Sequence, residues 1–319
     1  KNRERWNSLV NFCKSDNITE IFMQLPYTAN KQNGKWNIVL DESQLRDLLS
    51  YIHKYRIKVH ALDGDPRFSL IKWHQRVTAT IKAVAHYNST VPPEAKFDGI
   101  RYDNEPYILP YFSGVKKKSI IDQYVTLLKI SKTLTEIYGL EFGVDIPFWF
   151  DEDNKYFEPI TLYKERPLSQ WIIDIADNIG IMDYRTKAYG PDGTIAHAFD
   201  ELKYAEKSGK KIWIGLETGS LPDETLFEFC RKGTGKKLLV KKIGGTKIKI
   251  QLLPEDYEDS NIKGLVLLQT SRIKVPSGKI TFSGKNVKEL ENIMEKSQIE
   301  LNQISSFYGF ALHAYKSYK

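Results

Sequence analysis

Short apolar runs that end in polar residues alternate along this chain with stretches of helical period. The first run, Ile18–Leu25, is followed by apolar residues at positions 45, 48, 49 and 52, a spacing that places them on one face of a helix. Strands that alternate with helices in this way predict βαβ units and a parallel sheet. The seven predicted strands lie at 18–25, 58–65, 97–105, 141–150, 179–185, 211–219 and 307–318.

This alternation predicts an α/β fold, a (β/α)8 barrel of the TIM type formed by a single domain over residues 1–319. A predicted helix, Trp6–Cys13, precedes the first visible strand. In an eight-strand barrel a helix follows strand 1. We therefore expect strand 1 to lie upstream of this sequence, and we number the visible strands two to eight. An incomplete barrel is the alternative.

Residues 231–284 depart from the alternation and predict a small β-rich insertion after strand 7. The segment contains alternating runs such as Lys247–Leu253, separated by Gly-Gly and Pro-Ser-Gly turns. Residues 231–249 hold eight lysines and arginines and no acid, while the whole chain has a net charge of +7. The excess positive charge therefore belongs to one segment, which argues against nucleic-acid binding by the protein as a whole. Binding of an acidic polymer, and a solvated hairpin whose lysines discourage edge pairing, are both open interpretations.

Composition excludes several other classes of protein. The two cysteines, Cys13 and Cys230, lie in segments predicted to be helical and have no partner at metal-ligand spacing, so neither a metal nor a cofactor is expected. No apolar run reaches the length of about 18 residues that a membrane span requires. The first residues lack an apolar signal core. A secreted or cell-surface location, with a signal segment outside this sequence, stays open, as does the oligomeric state.

Candidate chemistry is found where the predicted strands end. In a parallel barrel the active site forms at the carboxyl ends of the strands, and all seven strands end in polar or aromatic residues. Besides the catalytic candidates Asp103, Glu105 and Glu217, the predicted substrate-binding residues are Gln24, Asp63, Asp65, Arg101, Asn104, Tyr107, Asp145, Trp149, Asp183, Tyr184, Arg185 and His313.

The segment at the end of strand 4, FDGIRYDNEPY, has the highest density of such residues. The strand period places Arg101, Asp103 and Glu105 on one side. We expect Arg101 to hold Asp103 ionised, and Glu105, beside a second carboxylate, to serve as a general acid. A structural Arg–Asp pair next to a surface glutamate is the alternative interpretation. On strand 6 we expect Asp183 and Arg185 to pair with each other.

The same segment, from Asp98 to Glu105, resembles the DGxDxDxE signature of the chitinase family, glycoside hydrolase family 18, with Arg101 in place of an aspartate. The sequence Met-Asp-Tyr that ends at Tyr184 is similar to the Met-x-Tyr-Asp element of that family. The resemblance implies that Glu105 protonates the leaving oxygen and that Asp103 steadies a substrate N-acetyl group acting as the nucleophile. It also implies that Tyr184 assists.

A second resemblance is to clan A glycosidases. Asn104-Glu105-Pro106 resembles their strand-4 element, and Glu217 ends strand 7, as their second catalytic carboxylate does. Retaining hydrolysis requires two carboxylates about 5–5.5 Å apart. The wider order of ALDGDP, FDGIRYDNEPY, VDIPFWFD, GIMDYR and GLETG resembles a group of glycosidase-like barrel proteins.

The sequence therefore predicts a glycoside hydrolase that cleaves a glycosidic bond in a poly- or oligosaccharide, with an acidic or amino-sugar polymer as a candidate substrate. In the favoured interpretation Glu105 is the acid/base and Glu217 the nucleophile. The alternatives are substrate-assisted, chitinase-like hydrolysis by Asp103 and Glu105, and a barrel that binds carbohydrate without cleaving it.

Overall fold

A computed structural model of the chain describes residues 2–110, 112, 116–151, 163–244, 247–259, 261 and 263–318. Within these residues the strands are β1 (Glu20–Gln24), β2 (Tyr27–Gln32), β3 (Lys35–Leu40), β4 (Lys58–Asp63), β5 (Gly99–Tyr102), β6 (Glu141–Pro147), β7 (Asn178–Met182), β8 (Lys211–Glu217), β9 (Glu224–Cys230), β10 (Lys237–Gly244), β11 (Lys247–Leu253), β12 (Leu265–Val275) and β13 (Phe307–His313).

The helices are α1 (Asn2–Ser15), α2 (Glu42–His53), α3 (Ile71–Thr90), α4 (Lys117–Tyr138), α5 (Leu168–Ile175), α6 (Thr194–Ser208), α7 (Val287–Leu301) and α8 (Tyr315–Tyr318). Two of them end at a glycine, Gly139 after α4 and Gly209 after α6, each with a φ of 66°. Glycine adopts this left-handed conformation at little cost, so it ends the helix and turns the chain back toward the sheet. No helix in the described part of the chain is both long enough and apolar enough to cross a bilayer.

The main sheet has seven parallel strands in the order β1-β4-β5-β6-β7-β8-β13, and each of the seven predicted strands corresponds to one of them. The sheet is strongly curled. The rings of Phe22 on β1 and Trp213 on β8 meet edge to face with centroids 5.9 Å apart. In a flat sheet these strands would be separated by five strand spacings, about 24 Å. The predicted barrel-type architecture is therefore confirmed.

Alternate residues of the central strands form the core between this sheet and the helices. Ile100, Val144, Ile181 and Ile214 are completely buried and belong to one continuous apolar cluster. Strands buried on both sides read as near-continuous apolar runs, which is why the sequence pattern identified them. The polar ends of the strands are left at the rim of the curled sheet.

One structural element has no counterpart in the predicted pattern. Strands β2 and β3 form an antiparallel hairpin directly after β1, with Asn33 and Gly34 at its turn, both at positive φ. An Asn-Gly turn of this kind is the tightest common hairpin connection. The hairpin brings Tyr27 to the end of β4, where its hydroxyl donates to Asp63 Oδ1 at 3.0 Å.

The insertion after β8 forms a separate antiparallel sheet in the order β11-β10-β12-β9. It begins with β9 at Glu224, seven residues before the boundary predicted from the sequence, and its last strand ends at Val275. The helical prediction around Cys230 was wrong, because residues 224–230 pair with β12 as an edge strand. Propensity and period are weak guides for an edge strand that is exposed on both faces.

Candidate active site

The ends of β4 and β5 approach each other more closely than side chains would allow. The Asp103 N–H donates to the carbonyl oxygen of Asp63 at 3.0 Å. A Cβ atom on Gly64 would lie only 1.9 Å from the Asp103 carbonyl oxygen. The glycine is therefore required for the close backbone approach that fixes Asp103 at the rim.

Arg101 lies inside the curled sheet below the rim, with 1% of its surface exposed. Its Nη1 donates to Asp145 Oδ1 at 2.6 Å, and its Nη2 donates to Asn178 Oδ1. Space for the guanidinium comes from two glycines on the neighbouring strands. A Cβ on Gly143 would lie 3.0 Å from the guanidinium carbon, and one on Gly180 would lie 2.8 Å from Nη1.

The prediction that Arg101 pairs with Asp103 and keeps it ionised was wrong. The guanidinium pairs with Asp145 on the adjacent strand β6, two residues beyond Gly143, which is the register partner of Arg101. Burial and the charges of Asp145 and Glu105 raise the pKa of Asp103 to about 8. Asp103 therefore holds a proton at neutral pH. Burial also raises the pKa of Asp145, and the Arg101 guanidinium opposes that shift.

Glu105 follows at the rim in a left-handed conformation, with φ at 40° and ψ at 58°. This turn sends the chain into the short 3-10 helix Pro106–Ile108. The Tyr107 hydroxyl donates to Glu105 Oε2, and burial together with the Glu105 charge raises the pKa of Tyr107. The ring of Trp149 meets Tyr107 edge to face at 5.0 Å. Trp149, which is 7% exposed, therefore packs against the tyrosine that donates a hydrogen bond to Glu105.

Glu217, at the end of β8, is only 4% exposed, and both of its carboxylate oxygens are occupied. Oε1 accepts from the Gly219 N–H at 2.5 Å, and Oε2 lies 2.8 Å from His313 Nδ1. The hydrogen bond to Glu217 raises the pKa of His313, whose side chain is 66% exposed. The pair therefore presents an imidazole to the rim and keeps the carboxylate beneath it.

Tyr184 connects the two groups of carboxylates. Burial raises its pKa, and so do the charges of Glu217, Asp103, Asp145 and Glu105. Its ring is stacked with that of His313 at a centroid distance of 6.4 Å and an angle of 18°. Tyr184 has a φ of 21°, outside the ordinary range for a residue with a side chain. Strained backbone of this kind is concentrated at functional sites.

The predicted pairing of Asp183 with Arg185 was also wrong. Asp183, fully buried, lies 3.1 Å from His197 Nδ1, whereas Arg185 Nε donates to Asp192 Oδ1 at 2.8 Å. Successive residues point to different sides of the strand end, so each finds its own partner. The Phe148 ring stacks with the His197 ring and also contacts the Arg185 guanidinium.

The remaining candidates occupy other parts of the rim. Burial raises the pKa of Asp63, which accepts from Tyr27 and from the Gly64 N–H. Asp65 accepts from the backbone and side chain of Arg67 and caps a 3-10 helix, and these hydrogen bonds lower its pKa. Asn104 is buried, and neither polar atom of its amide has a hydrogen-bond partner among the described residues. Gln24 is exposed at the end of β1.

The structure therefore brings eight of the predicted residues into one connected group at the rim. Sequence reasoning missed three residues that hold other predicted candidates: Asn178 bonds Arg101, His197 bonds Asp183 and Tyr27 bonds Asp63. Within the described residues, no cluster of three or more His, Cys, Asp or Glu side chains could hold a metal ion. The connected group consists of Asp103, Glu105, Tyr107, Asp145, Trp149, Tyr184, Glu217 and His313.

Comparison with known proteins gives a likeness in structure without one in sequence. No protein-family model matches the chain, and no curated protein sequence matches it. Solved structures do match. A chitinase from Chromobacterium violaceum superposes with a TM-score of 0.50 at 11% identity, over 97% of this chain and 90% of that one. A family 18 chitinase from Cycas revoluta gives a TM-score of 0.49 at 11% identity, over 95% and 90%.

At these identities the likeness concerns the fold alone. It extends over nearly the whole chain, so the barrel and its rim are both included. The protein therefore has a glycoside-hydrolase-like barrel fold that resembles that of the chitinases.

Proposed function

We propose that this protein hydrolyses glycosidic bonds in glycans of 2-acetamido sugars, with Glu105 as the general acid/base. The shared fold with a chitinase, an enzyme acting on a polymer of N-acetylglucosamine, supports this substrate class. The strand-4 signature supports it too, since Asp103 and Glu105 stand where that family has its last two carboxylates.

The observation that carries the proposal is the raised pKa of Asp103. The charge of Glu105 is one of the causes that raise this pKa to about 8, so Asp103 keeps its proton at neutral pH. A general acid needs such a proton at the pH at which it works. The Asp103–Glu105 pair therefore contains a proton that can be given to a leaving oxygen.

In the proposed reaction the proton moves from Asp103 to Glu105 when substrate binds, and Glu105 gives it to the glycosidic oxygen as that bond breaks. The acetamido carbonyl oxygen of the substrate forms a bond to the anomeric carbon, producing a cationic oxazoline ring. Asp103, now ionised, and the Tyr184 hydroxyl stabilise that ring. Water then opens it, and Glu105 accepts the proton that the water loses.

This route is favoured over double displacement by Glu217 because of what surrounds that carboxylate. A nucleophile must reach the anomeric carbon, but Glu217 is 4% exposed and both of its oxygens are engaged. We assign Glu217 to holding His313 at the rim. Its position at the end of β8 still makes it the residue to test against Asp103.

The test is hydrolysis of a fluorogenic chito-oligosaccharide by four variants. We expect Glu105→Gln and Asp103→Asn each to lower kcat by about a hundredfold or more, in line with loss of a general acid. We expect Glu217→Gln to retain measurable turnover. Glu295→Gln, an exposed position on α7, is the control and keeps wild-type activity.

Two further measurements separate the alternatives. A thiazoline analogue of the oxazoline should inhibit competitively if the acetamido group is the nucleophile. Loss of activity in Glu217→Ala with rescue by azide would instead establish double displacement. Binding of chito-oligosaccharides by the wild type without any turnover would leave a carbohydrate-binding barrel and reject hydrolysis.

A further inference from the structure

Within the four-stranded sheet of the insertion, β10, β11 and the start of β12 share one face made almost entirely of aliphatic side chains. Residues paired across antiparallel strands lie on the same face. Two cross-strand rows follow from the register and together form what we name the open face. They are Leu252–Leu238–Leu267 and Ile250–Val240–Leu265.

The two faces of this sheet differ in how they are covered. On the reverse face Leu239 and Leu253 are buried, and Lys237 Nζ donates to the Tyr257 carbonyl oxygen at 2.5 Å. The loop after β11 therefore lies against that face. On the open face, Ile250 is 66% exposed and Leu252 is 47% exposed. Its edge strand has no cover within the described part of the chain.

Exposed apolar surface is concentrated on this sheet. Of the twenty large apolar side chains that the described residues expose, seven lie on its four strands. Single exposed apolar residues need no explanation, but a contiguous patch usually marks an interaction surface. Five of the seven lie on the β10–β11 hairpin or the adjoining start of β12, and these are Ile243, Ile248, Ile250, Leu252 and Leu265; the other two, Leu226 and Phe227, lie on β9 at the opposite edge.

Positive charge is concentrated at the hairpin end of the same sheet and lies on both of its faces. Lys242 shares the open face with Ile248, whereas Lys241 and Lys249 pair on the reverse face. Lys241 and Lys242 precede the turn of the β10–β11 hairpin, and Lys247 and Lys249 follow it, all of them exposed. No ion pair among the described residues neutralises them, and residues 231–249 contain no acid. The acidic loop residues 255–259 come after the other end of β11, about 20 Å along the strand from the turn. The end of the hairpin is therefore both basic and aliphatic.

We propose that the open face and the β10–β11 hairpin dock on an anionic lipid bilayer. The end of the hairpin enters the bilayer first, with its aliphatic side chains at the boundary between headgroups and acyl chains and with the lysines on both of its faces contacting lipid phosphates. This combination is typical of interfacial membrane binding. Six of the seven exposed side chains are aliphatic and suit hydrocarbon, whereas a neutral glycan would be bound mainly by flat aromatic rings. The proposal is independent of the activity of the rim.

The experiment is sedimentation of the full chain with vesicles of phosphatidylcholine alone or of phosphatidylcholine mixed with phosphatidylglycerol, because anionic lipid gives the bilayer a negative surface potential that attracts lysine clusters. We expect binding to the anionic vesicles only, weakened by added salt. Each lysine near the surface contributes about fivefold to the binding constant, so glutamine at 241, 242, 247 and 249 together should lower it by about a hundredfold or more.

Two variants make the test specific. Glutamine at the exposed helix positions Lys72, Lys82, Lys288 and Lys296 removes the same charge elsewhere and should leave binding within a fewfold of the wild type. Ile248→Ser with Ile250→Ser keeps the charge and should weaken binding at least tenfold. Unfolding curves confirm that each variant is folded.

Three results would overturn the proposal. These are equal binding to neutral and anionic vesicles, an equal loss in the helix-lysine control, and wild-type binding by the serine variant. Binding to a soluble anionic polysaccharide such as polygalacturonate, with no binding to any vesicle, would reject a lipid surface in favour of an acidic polymer.

Discussion

The proton on Asp103 makes the stability of the protein depend on pH in an unusual direction. Its pKa is about 8 in the folded protein, and its ordinary value is 3.8. In the unfolded chain Asp103 ionises above that lower value, while in the folded protein it stays protonated up to about pH 8. Ionisation therefore favours the unfolded state throughout this window, and stability is lost as the pH rises from about 4 to about 8.

The loss of stability depends on how many pH units separate the two pKa values of Asp103. Each pH unit inside it costs up to about 1.4 kcal/mol, so by pH 7 the upper limit is about 4 kcal/mol relative to pH 4. Asp103→Asn removes the titrating group and keeps the shape of the side chain. The variant and the wild type can differ in stability at pH 4. From pH 5 to pH 8 we expect the stability of the variant to rise progressively relative to that of the wild type.

The assay is urea unfolding of both proteins at each pH unit from 4 to 9, with Asp47→Asn, an exposed position on α2, as the matched control. The control should follow the wild type at every pH. In Asp145→Asn the pKa of Asp103 should fall, because one of the charges that raise it is gone and Arg101 loses its partner. A difference between Asp103→Asn and wild type that stays constant with pH would refute the reasoning.

Three further predictions follow from the same region. Gly64→Ala should destabilise the protein by about 1–3 kcal/mol in urea unfolding because its Cβ overlaps a backbone oxygen, whereas Gly278→Ala, with nothing within 4 Å, should be nearly neutral. Glu217→Gln should lower the pKa of His313, measured from its imidazole NMR shifts, and an unchanged titration would show that the pair does not form. Arg101→Met should cost about 3–5 kcal/mol, because it leaves a buried carboxylate without its counter-charge, and a neutral effect would contradict the assigned ion pair.

Much of the fold could be predicted from the sequence because buried parallel strands carry a strong local signal. The run at Ile179 and Ile181 is apolar on both faces, and helix-period stretches follow such runs. The β2–β3 hairpin was not predicted because its first strand is mostly exposed and polar. Strand β9 was not predicted because an exposed edge strand lacks the alternation of apolar and polar residues that identifies a half-buried strand.

The sequence predicted which residues belong to the candidate site, but it did not predict which of them pair with each other. Strand ends meet at one rim in any parallel barrel, so Asp103, Glu105 and Glu217 could be placed there from the sequence. Which carboxylate Arg101 takes depends on register between neighbouring strands, and a pattern along one strand contains no such information. Glu217 is covered by Thr281 and Phe282, at the end of the predicted β-rich insertion, and the sequence did not indicate which strand that segment meets.

The position of Arg101 has a consequence for the way substitutions combine. A Cβ atom on Gly143 or on Gly180 would overlap the Arg101 guanidinium and one of the side chains that it binds. Each position alone should therefore tolerate no residue larger than glycine. With methionine at 101 that restriction changes, because the guanidinium is gone and its hydrogen bonds no longer hold Asp145 Oδ1 and Asn178 Oδ1, the atoms nearest to the added Cβ atoms, in place. The three positions should therefore show strong epistasis, and alanines that are harmful singly should become tolerated in the methionine background. A library that varies one codon at a time would miss this alternative packing of the barrel interior.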